Sequence, residues 1–401
     1  MTSLITESKA RLDLPPSWPL ALHPQRLAEV AACTPYLLCD LATVSRSFAE
    51  LSAALPSARV FYAMKCNSSP EVLRTLDGLG SNFEVASIGE LDQLTDLGID
   101  PAEVLFSNPI KPPAAIAAAH AAGLWRFSFD SEGELRKLAQ HAPGSAVYIR
   151  LRVDDSTSIF PLSRKFGCEA HQGRALLLLA RELGLRPYGL TFHVGSQCSA
   201  TSTWRQAIAA SGRLMHDLAQ DGISLEMLDL GGGFPARYGQ DVPTIAQFGA
   251  VIEQALDDLL PYRPALIAIE PGRHVVAESA VLVASVLGRE VRANENWVYL
   301  DVGAYNGLME TQQTVNQWRL PMWTSRPDHA FVPHLPFTVT GPTCDSSDTM
   351  FYGVPLPCTL DVGDRIYIAA TGAYTLSYAS TFNGFPIPTP LFLGDAEWPT
   401  P

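Results

Sequence analysis

From about residue 40 to residue 270 the chain repeats one rhythm: an apolar strand-like run, a helix-like stretch, another strand. Eight runs fit the strand reading: "VFYAM", "NFEVAS", "EVLFSN", "RFSFD", "AVYIRLRV", "YGLTFHV", "LEMLDL" and "ALIAIE". The stretches between them carry helix signals. In "SPEVLRTLDGLG", Ser69 is an N-cap candidate, Pro70 suits the first helical position, and Val72, Leu73, Leu76 and Leu79 share one face, with Gly80 closing the end. Ser87 with Glu90, and Ser131 with Glu134, have the spacing of capping boxes. Strands that alternate with helices build a parallel sheet, and eight such strands are the number that closes a (β/α)8 barrel. An open doubly wound sheet is the competing arrangement.

In a barrel of this kind chemistry sits at the C-terminal ends of the strands. Those ends carry Lys65, Glu84, Asn108, Asp130, Arg150, His193, Gly231 and Glu270. Nearly all are polar where ordinary strand ends would offer turn formers. After Arg273 the rhythm stops. "HVVAESAVLVASVLGREV", "NWVYLDVGAY", "FTVTGPTC" and "RIYIAATGAY" read as strands with no helix between them, which predicts a second, all-β domain. The expected division is therefore an α/β barrel over residues 36–275 and a β domain over 276–401, with the segment 1–35 packing on the latter.

The formal net charge of −13 argues against nucleic acid or an anionic membrane as partner and is compatible with a cationic substrate. No apolar run reaches the roughly 18 residues of a membrane span, and the first twenty residues lack the order of a secretion signal. The seven cysteines show neither a C-x-x-C pair nor metal-ligand spacing, so no metal site is expected. A reduced, cytoplasmic protein is the default.

Several strand ends bear on chemistry. Lys65 closes an apolar strand; it is either a surface cap or an amine held partly desolvated, with a depressed pKa and nucleophilic character. "LDLGGGFP" sets Gly231, Gly232 and Gly233 directly after the seventh strand, where backbone N–H groups can approach an anion, although a plain tight turn would look the same. "IAIEPGRHV" ends the eighth strand on Glu270, followed by Gly272 and Arg273. That carboxylate could hold a pyridinium nitrogen protonated, and the arginine could pair with phosphate; an internal ion pair is the alternative. His193, with Ser196 behind it, could be a stacking platform, a proton donor or a structural histidine. In the β domain, "GPTCDSSD" places Cys344 beside Asp345. A cysteine next to a carboxylate keeps its proton, which suits a proton donor, and the carboxylate could receive a substrate ammonium. An amine, a carboxylate, a glycine-rich phosphate cradle and a histidine around one barrel mouth fit one small molecule, pyridoxal 5′-phosphate held on the lysine.

The chain resembles the fold-type III pyridoxal-phosphate decarboxylases, whose barrel is of the alanine racemase kind, and among them the ornithine/lysine decarboxylases. The resemblance runs from about Thr34 to Phe385 and rests on "FYAMKCN", "RVDDS" with "KFG", "HVGS", "GGGFP", "EPGR", "GPTCDSSD", and "GAYT" followed by "STFNGF". It implies Lys65 as the Schiff-base lysine, His193 stacked on the cofactor ring, and Glu270 on the ring nitrogen. Ser196, Gly231, Gly232, Gly233, Gly272, Arg273 and Tyr374 would surround the phosphate, while Glu84 and Arg150 would line the inner site. It further implies a homodimer with shared sites, in which Cys344 of one chain reprotonates the substrate carbon in the other. Asp345, with Tyr374, would bind the substrate. The implied reaction is decarboxylation of a basic L-amino acid: ornithine to putrescine, or lysine to cadaverine.

Two positions depart from the family pattern, the second of which bears on substrate. Position 84 is glutamate where the family more often has aspartate. Where animal-type members carry a second aspartate for the distal amine, "LMETQQTVNQW" offers Thr314, with Glu310 the only acid nearby. This is closer to the bacterial ornithine/lysine type. Diaminopimelate decarboxylases resemble a Cys-Glu pair instead of Cys344-Asp345, a racemase looks to a tyrosine as second base, and a partner-binding homologue without catalysis would lose the cofactor residues.

Overall fold

The computed structural model describes residues 22, 24–27, 29–314 and 320–394. Residues 1–21, the first part of the segment expected on the β domain, and 315–319, the end of "LMETQQTVNQW", lie outside the described residues. The chain divides into two compact units. One holds residues 45–236 and 242–275; the other holds the described residues up to 44, residues 237–241 and those from 276 onward.

The first unit is a closed parallel barrel of eight strands. They are Ala58–Ala63, Asn82–Val85, Val104–Phe106, Arg126–Phe129, Ala146–Leu151, Arg186–Phe192, Met227–Asp229 and Leu266–Ile269, and the last pairs with the first. All eight sequence-predicted strands are present, in order. Their apolar continuity follows from burial on both faces: Phe61, Leu105, Ala146, Tyr148, Tyr188, Met227 and Ala268 fill one interior cluster. The helix Pro70–Gly78 buries Val72, Leu73 and Leu76, and Gly80 takes the left-handed position just past it at φ +83°.

The two predicted capping boxes form only in half. Ser87 Oγ accepts from Glu90 N at 3.3 Å, but the Glu90 carboxylate reaches one residue further back, to Ala86 N at 2.6 Å. Ser131 Oγ accepts from Glu134 N at 3.4 Å, while the Glu134 carboxylate turns inward to the backbone N–H of Lys111 at 3.1 Å. At Glu134 a buried tertiary partner outcompetes the local one.

The second unit is an eight-stranded mostly antiparallel sheet. Its spine is the long strand Ala280–Arg292. The first half of that strand lies between Tyr36–Asp40 and Arg365–Ala369. Its second half turns through Ala293 and Asn294, both at positive φ, into the hairpin partner Glu295–Leu300. The run beginning at His274 is not strand throughout: Arg273–Val276 and Ala277–Ser279 are short helical turns. Sequence reading also missed Thr349–Pro357 and Thr389–Leu393, which carry prolines and lie at sheet edges, where proline is tolerated. Leu22, Leu27 and Val30 are buried in this unit's core with Tyr36, Trp323 and Tyr367.

Candidate active site

The first barrel strand runs into a short 3-10 turn, Met64–Cys66, whose flanking Met64 and Cys66 are buried while Lys65 reaches the C-terminal mouth. Lys65 Nζ donates to the carboxylate of Glu84, which is buried on the second strand. Burial lowers the pKa of this amine, but Glu84 and Glu270 together raise it more, so it stands above the ordinary lysine value. This overturns the expectation of a depressed amine. The reason is the acid at the mouth, Glu84 above all, which the sequence had already set at neighbouring strand ends.

Glu270 follows the eighth strand directly and is buried. Desolvation first, then the nearby Asp229 and Glu84, push its carboxyl well above the usual range. Asp229, the last residue of the seventh strand, is sealed from solvent and accepts from Thr191 Oγ1 at 2.6 Å and from Gly231 N at 2.9 Å. Burial pushes it up to about 6. Lys65 and Arg150 are the cations that face these three acids, and a protonated ring nitrogen would be a further hydrogen-bond donor to them.

His193 Nδ1 accepts from Gly195 N at 3.0 Å, which leaves its single proton on Nε2. Burial, helped by Arg150 and Lys65, holds this imidazole well below its ordinary pKa. It is a neutral, flat, oriented ring, which favours the platform reading over the proton donor. The Arg150 guanidinium lies over the Phe166 ring at 5.4 Å.

An anion cradle forms on the neighbouring loops. Arg273 is buried, its Nε donates to Ser196 Oγ at 3.1 Å, and its guanidinium lies over the Phe160 ring at 5.3 Å. Gly231 and Gly233 have φ of +64° and +103°. A Cβ at Gly231 would stand 2.0 Å from the Phe192 carbonyl oxygen, and one at Gly233 2.4 Å from that of Gly195. At Gly272 a Cβ would stand 2.8 Å from that of Cys66. The triplet is glycine because the loops after the sixth, seventh and eighth strands press together, which brings the backbone of Gly231, Gly232 and Gly233 against His193, Gly195 and Glu270. Gln197, at φ +59°, locks this junction: its amide donates to Ala236 O at 2.5 Å and accepts from Ala236 N at 3.0 Å.

The mouth thus gathers Lys65, Glu84, Arg150, His193, Ser196, Gly231, Gly232, Gly233, Glu270, Gly272 and Arg273. Cys344, Asp345 and Tyr374 stand in the β unit. Cys344 is exposed, and Asn383 Nδ2 donates to its sulfur at 3.3 Å. Asp345 accepts from Ser347 N and from Tyr305 Oη, both at 2.9 Å. Tyr374 adopts the left-handed region at φ +61° and stacks on Tyr378 at 5.6 Å. Sequence reading missed Asp229, Ser107 and Tyr148. Only Asp229 left a signal, an acid at a strand end directly before the glycine run.

The donors present match pyridoxal phosphate chemically: an amine, an acid-lined recess, a neutral planar ring, and a glycine-serine-arginine cradle. Comparison with known proteins agrees. Residues 41–277 match the family described as pyridoxal-dependent decarboxylase, pyridoxal binding domain. The chain is 35% identical over 373 residues to the lysine/ornithine decarboxylase of Selenomonas ruminantium, covering 91% of each. It is 33% identical over 367 residues to antizyme inhibitor 2 of Xenopus laevis, covering 87% of this chain and 79% of the relative. The structure of SrLDC in complex with PLP and cadaverine superposes with a TM-score of 0.84 at 33% identity, covering 93% of both chains. On fold, site chemistry and sequence together, the chain belongs to the pyridoxal-dependent decarboxylases and takes pyridoxal 5′-phosphate as its cofactor.

Proposed function

We propose that this enzyme, whose relatives point to basic amino acid decarboxylation, converts ornithine to putrescine and takes lysine, giving cadaverine, as a second substrate. When bound, the cofactor supplies a sink for the electron pair left at Cα as carbon dioxide departs. The Lys65 amine holds the cofactor and is held in turn by Glu84. Glu270 keeps a proton on the ring nitrogen, and neutral His193 stacks on the ring without adding charge. Ser196, the N–H groups of Gly231, Gly232, Gly233 and Gly272, Arg273 and Tyr374 bind the phosphate. Arg150 lines the inner wall. Cys344 delivers the proton to Cα, and Asp345, with Tyr374, receives the distal end of the substrate.

The observation that carries the substrate choice is Asp345. The Ser347 N–H, then the Tyr305 hydroxyl, hold its carboxyl below the usual range, so it is anionic at working pH and presents a fixed partner for an ammonium. Thr314 adds no second carboxylate: it is buried, and its hydroxyl donates to the Glu310 carbonyl at 3.0 Å. With no carboxylate at position 314 and Glu310 the only other acid nearby in sequence, chain length is loosely set, which is why both diamino acids are proposed. The similarity to an antizyme inhibitor raises a partner-binding role, but Lys65, Glu270, Cys344 and Tyr374 are all retained.

The test is carbon dioxide release by purified protein with cofactor, given ornithine, lysine, arginine and meso-diaminopimelate. Turnover of ornithine and lysine is expected; turnover confined to diaminopimelate would overturn the substrate choice. A homodimer with shared sites is part of the proposal. Mixing Lys65→Ala with Cys344→Ala subunits should then restore activity, and no recovery would count against it.

Among the described residues no helix is long and apolar enough to cross a membrane.

A further inference from the structure

Glu270 is buried against two other acids, so something must let it ionise there. Two hydroxyls stand in place to do so. Ser107 Oγ donates to Glu270 Oε1. A serine has one proton to give, so the 2.8 Å contact between Ser107 Oγ and Tyr148 Oη is donated by the tyrosine. The three residues come from three parts of the barrel wall: Ser107 just after the third strand, Tyr148 inside the fifth, Glu270 after the eighth. All three are buried, and the Ser107 backbone is pinned by its N–H to the Val85 carbonyl at 3.1 Å. With Glu270 ionised, as the pairing with a protonated ring nitrogen requires, the chain of donors runs from Tyr148 through Ser107 to the carboxylate.

We propose that Ser107 and Tyr148 are positioning residues, a two-hydroxyl relay that orients Glu270 and lowers its basicity so that the proton it shares with the cofactor's ring nitrogen stays on the nitrogen. This rests on the reading of Glu270 as the ring-nitrogen partner. Hydrogen bonds donated to the ionised form of an acid favour that form, while burial among like charges opposes it. Without the relay, Glu270 is the more basic partner and takes the proton, and the ring loses its charge. Burial and Glu270 hold the Tyr148 phenol well above its ordinary pKa, so its own proton stays available to Ser107.

The test uses the full-length holoenzyme carrying cofactor labelled with 15N in the ring, read by NMR, alongside the cofactor dissociation constant and separate kcat and KM values. For Ser107→Ala the ring-nitrogen signal should move toward the unprotonated position, and kcat should fall about tenfold with KM changed less than about twofold. Tyr148→Phe should move both in the same direction by less, and it carries the test if Ser107→Ala fails to fold. Ser107→Thr, which keeps the hydroxyl, should restore the wild-type signal. A protonated ring and unchanged kcat in both Ser107→Ala and Tyr148→Phe, with only a lowered melting temperature, would make the pair merely structural and overturn the relay. Glu270→Gln separates the two ideas. If it shifts the ring signal while the hydroxyl variants do not, only the relay fails; if it shifts nothing, the assignment of Glu270 falls and the relay with it.

Discussion

Lys111 Nζ lies 3.0 Å from Glu134 Oε1, and both side chains are sealed from solvent. The same ammonium donates to the carbonyls of Asn108 at 2.8 Å and Ser128 at 2.6 Å. It therefore ties the loop after the third barrel strand, which also carries Ser107, to the end of the fourth.

This arrangement has a pH signature. Burial pushes the Lys111 amine down from the ordinary 10.5 to about 8, against the pull of Glu134. Below about pH 8 the folded and unfolded chains both carry the proton, and the folded chain bears the full cost of the buried charge. Between 8 and 10.5 the unfolded chain binds more protons, so stability rises with pH through this group. Relative to Lys111→Met, wild type should gain about 3 kcal/mol over that window. Urea midpoints at a series of pH values measure it; parallel curves for the two proteins would refute it.

Gln197 is the second lever. Its paired bonds to the Ala236 backbone, made from a strained φ of +59°, staple the loop after the sixth strand to the loop that carries the three glycines. Gln197→Ala leaves a buried N–H and carbonyl unpaired, at about 1–3 kcal/mol for each group. The expected result is a lower melting temperature and cofactor affinity weakened about tenfold, read by fluorescence titration. Equal loss of stability with unchanged affinity would show that the staple does not shape the cradle.

In the β unit, Asp348 is fully buried and accepts from Ala304 N at 2.7 Å and Thr343 N at 3.1 Å, the latter next to Cys344. A Cβ at Gly303 or Gly341 would come within 2.2 or 2.3 Å of its carboxylate, so the loops are built closely around it. Asp348→Ala should cost about 2–4 kcal/mol, since one buried and one half-buried donor lose their acceptor. It should also loosen the loop at Thr343 and so speed alkylation of Cys344, measured by thiol labelling of folded protein. Wild-type labelling in a destabilised variant would separate the acid's packing from any hold on the Cys344 loop.

The barrel was readable because its strands are buried on both faces and so appear as unbroken apolar runs between capped helices. The mouth was readable because polar residues such as Lys65 and Glu270 end those runs where turn formers are usual. What stayed hidden depends on contacts distant in sequence. Tyr148 lies inside "AVYIRLRV" and looks like core; only the fold brings its hydroxyl to Ser107, 41 residues away. Glu134 has the spacing of a cap, yet Lys111 claims its carboxylate. The reading of Lys65 as a depressed amine weighed its desolvation but not Glu84 and Glu270, which the sequence had set at other strand ends of the same mouth. The edge strand Thr349–Pro357 was lost because its prolines speak against a strand unless its edge position is known.

His193 gives the last prediction. Its ring is neutral and fixed by the Gly195 N–H, so the platform role proposed for it rests on a flat surface rather than a charge. His193→Phe keeps the plane and loses the acceptor for Gly195 N and the Nε2 proton; His193→Ala loses the plane as well. Cofactor affinity should therefore fall only a few-fold in the phenylalanine variant and more than about tenfold in the alanine variant, given the usual strength of aromatic stacking and burial. Because the imidazole is held well below its ordinary pKa, it is already neutral on the acid side of the activity range. The acid limb of the kcat/KM profile should then sit at the same pH in wild type and His193→Phe. A limb that disappears in His193→Phe would mean that the imidazole gains and loses a proton during turnover, and that it acts as an acid or base instead of a platform.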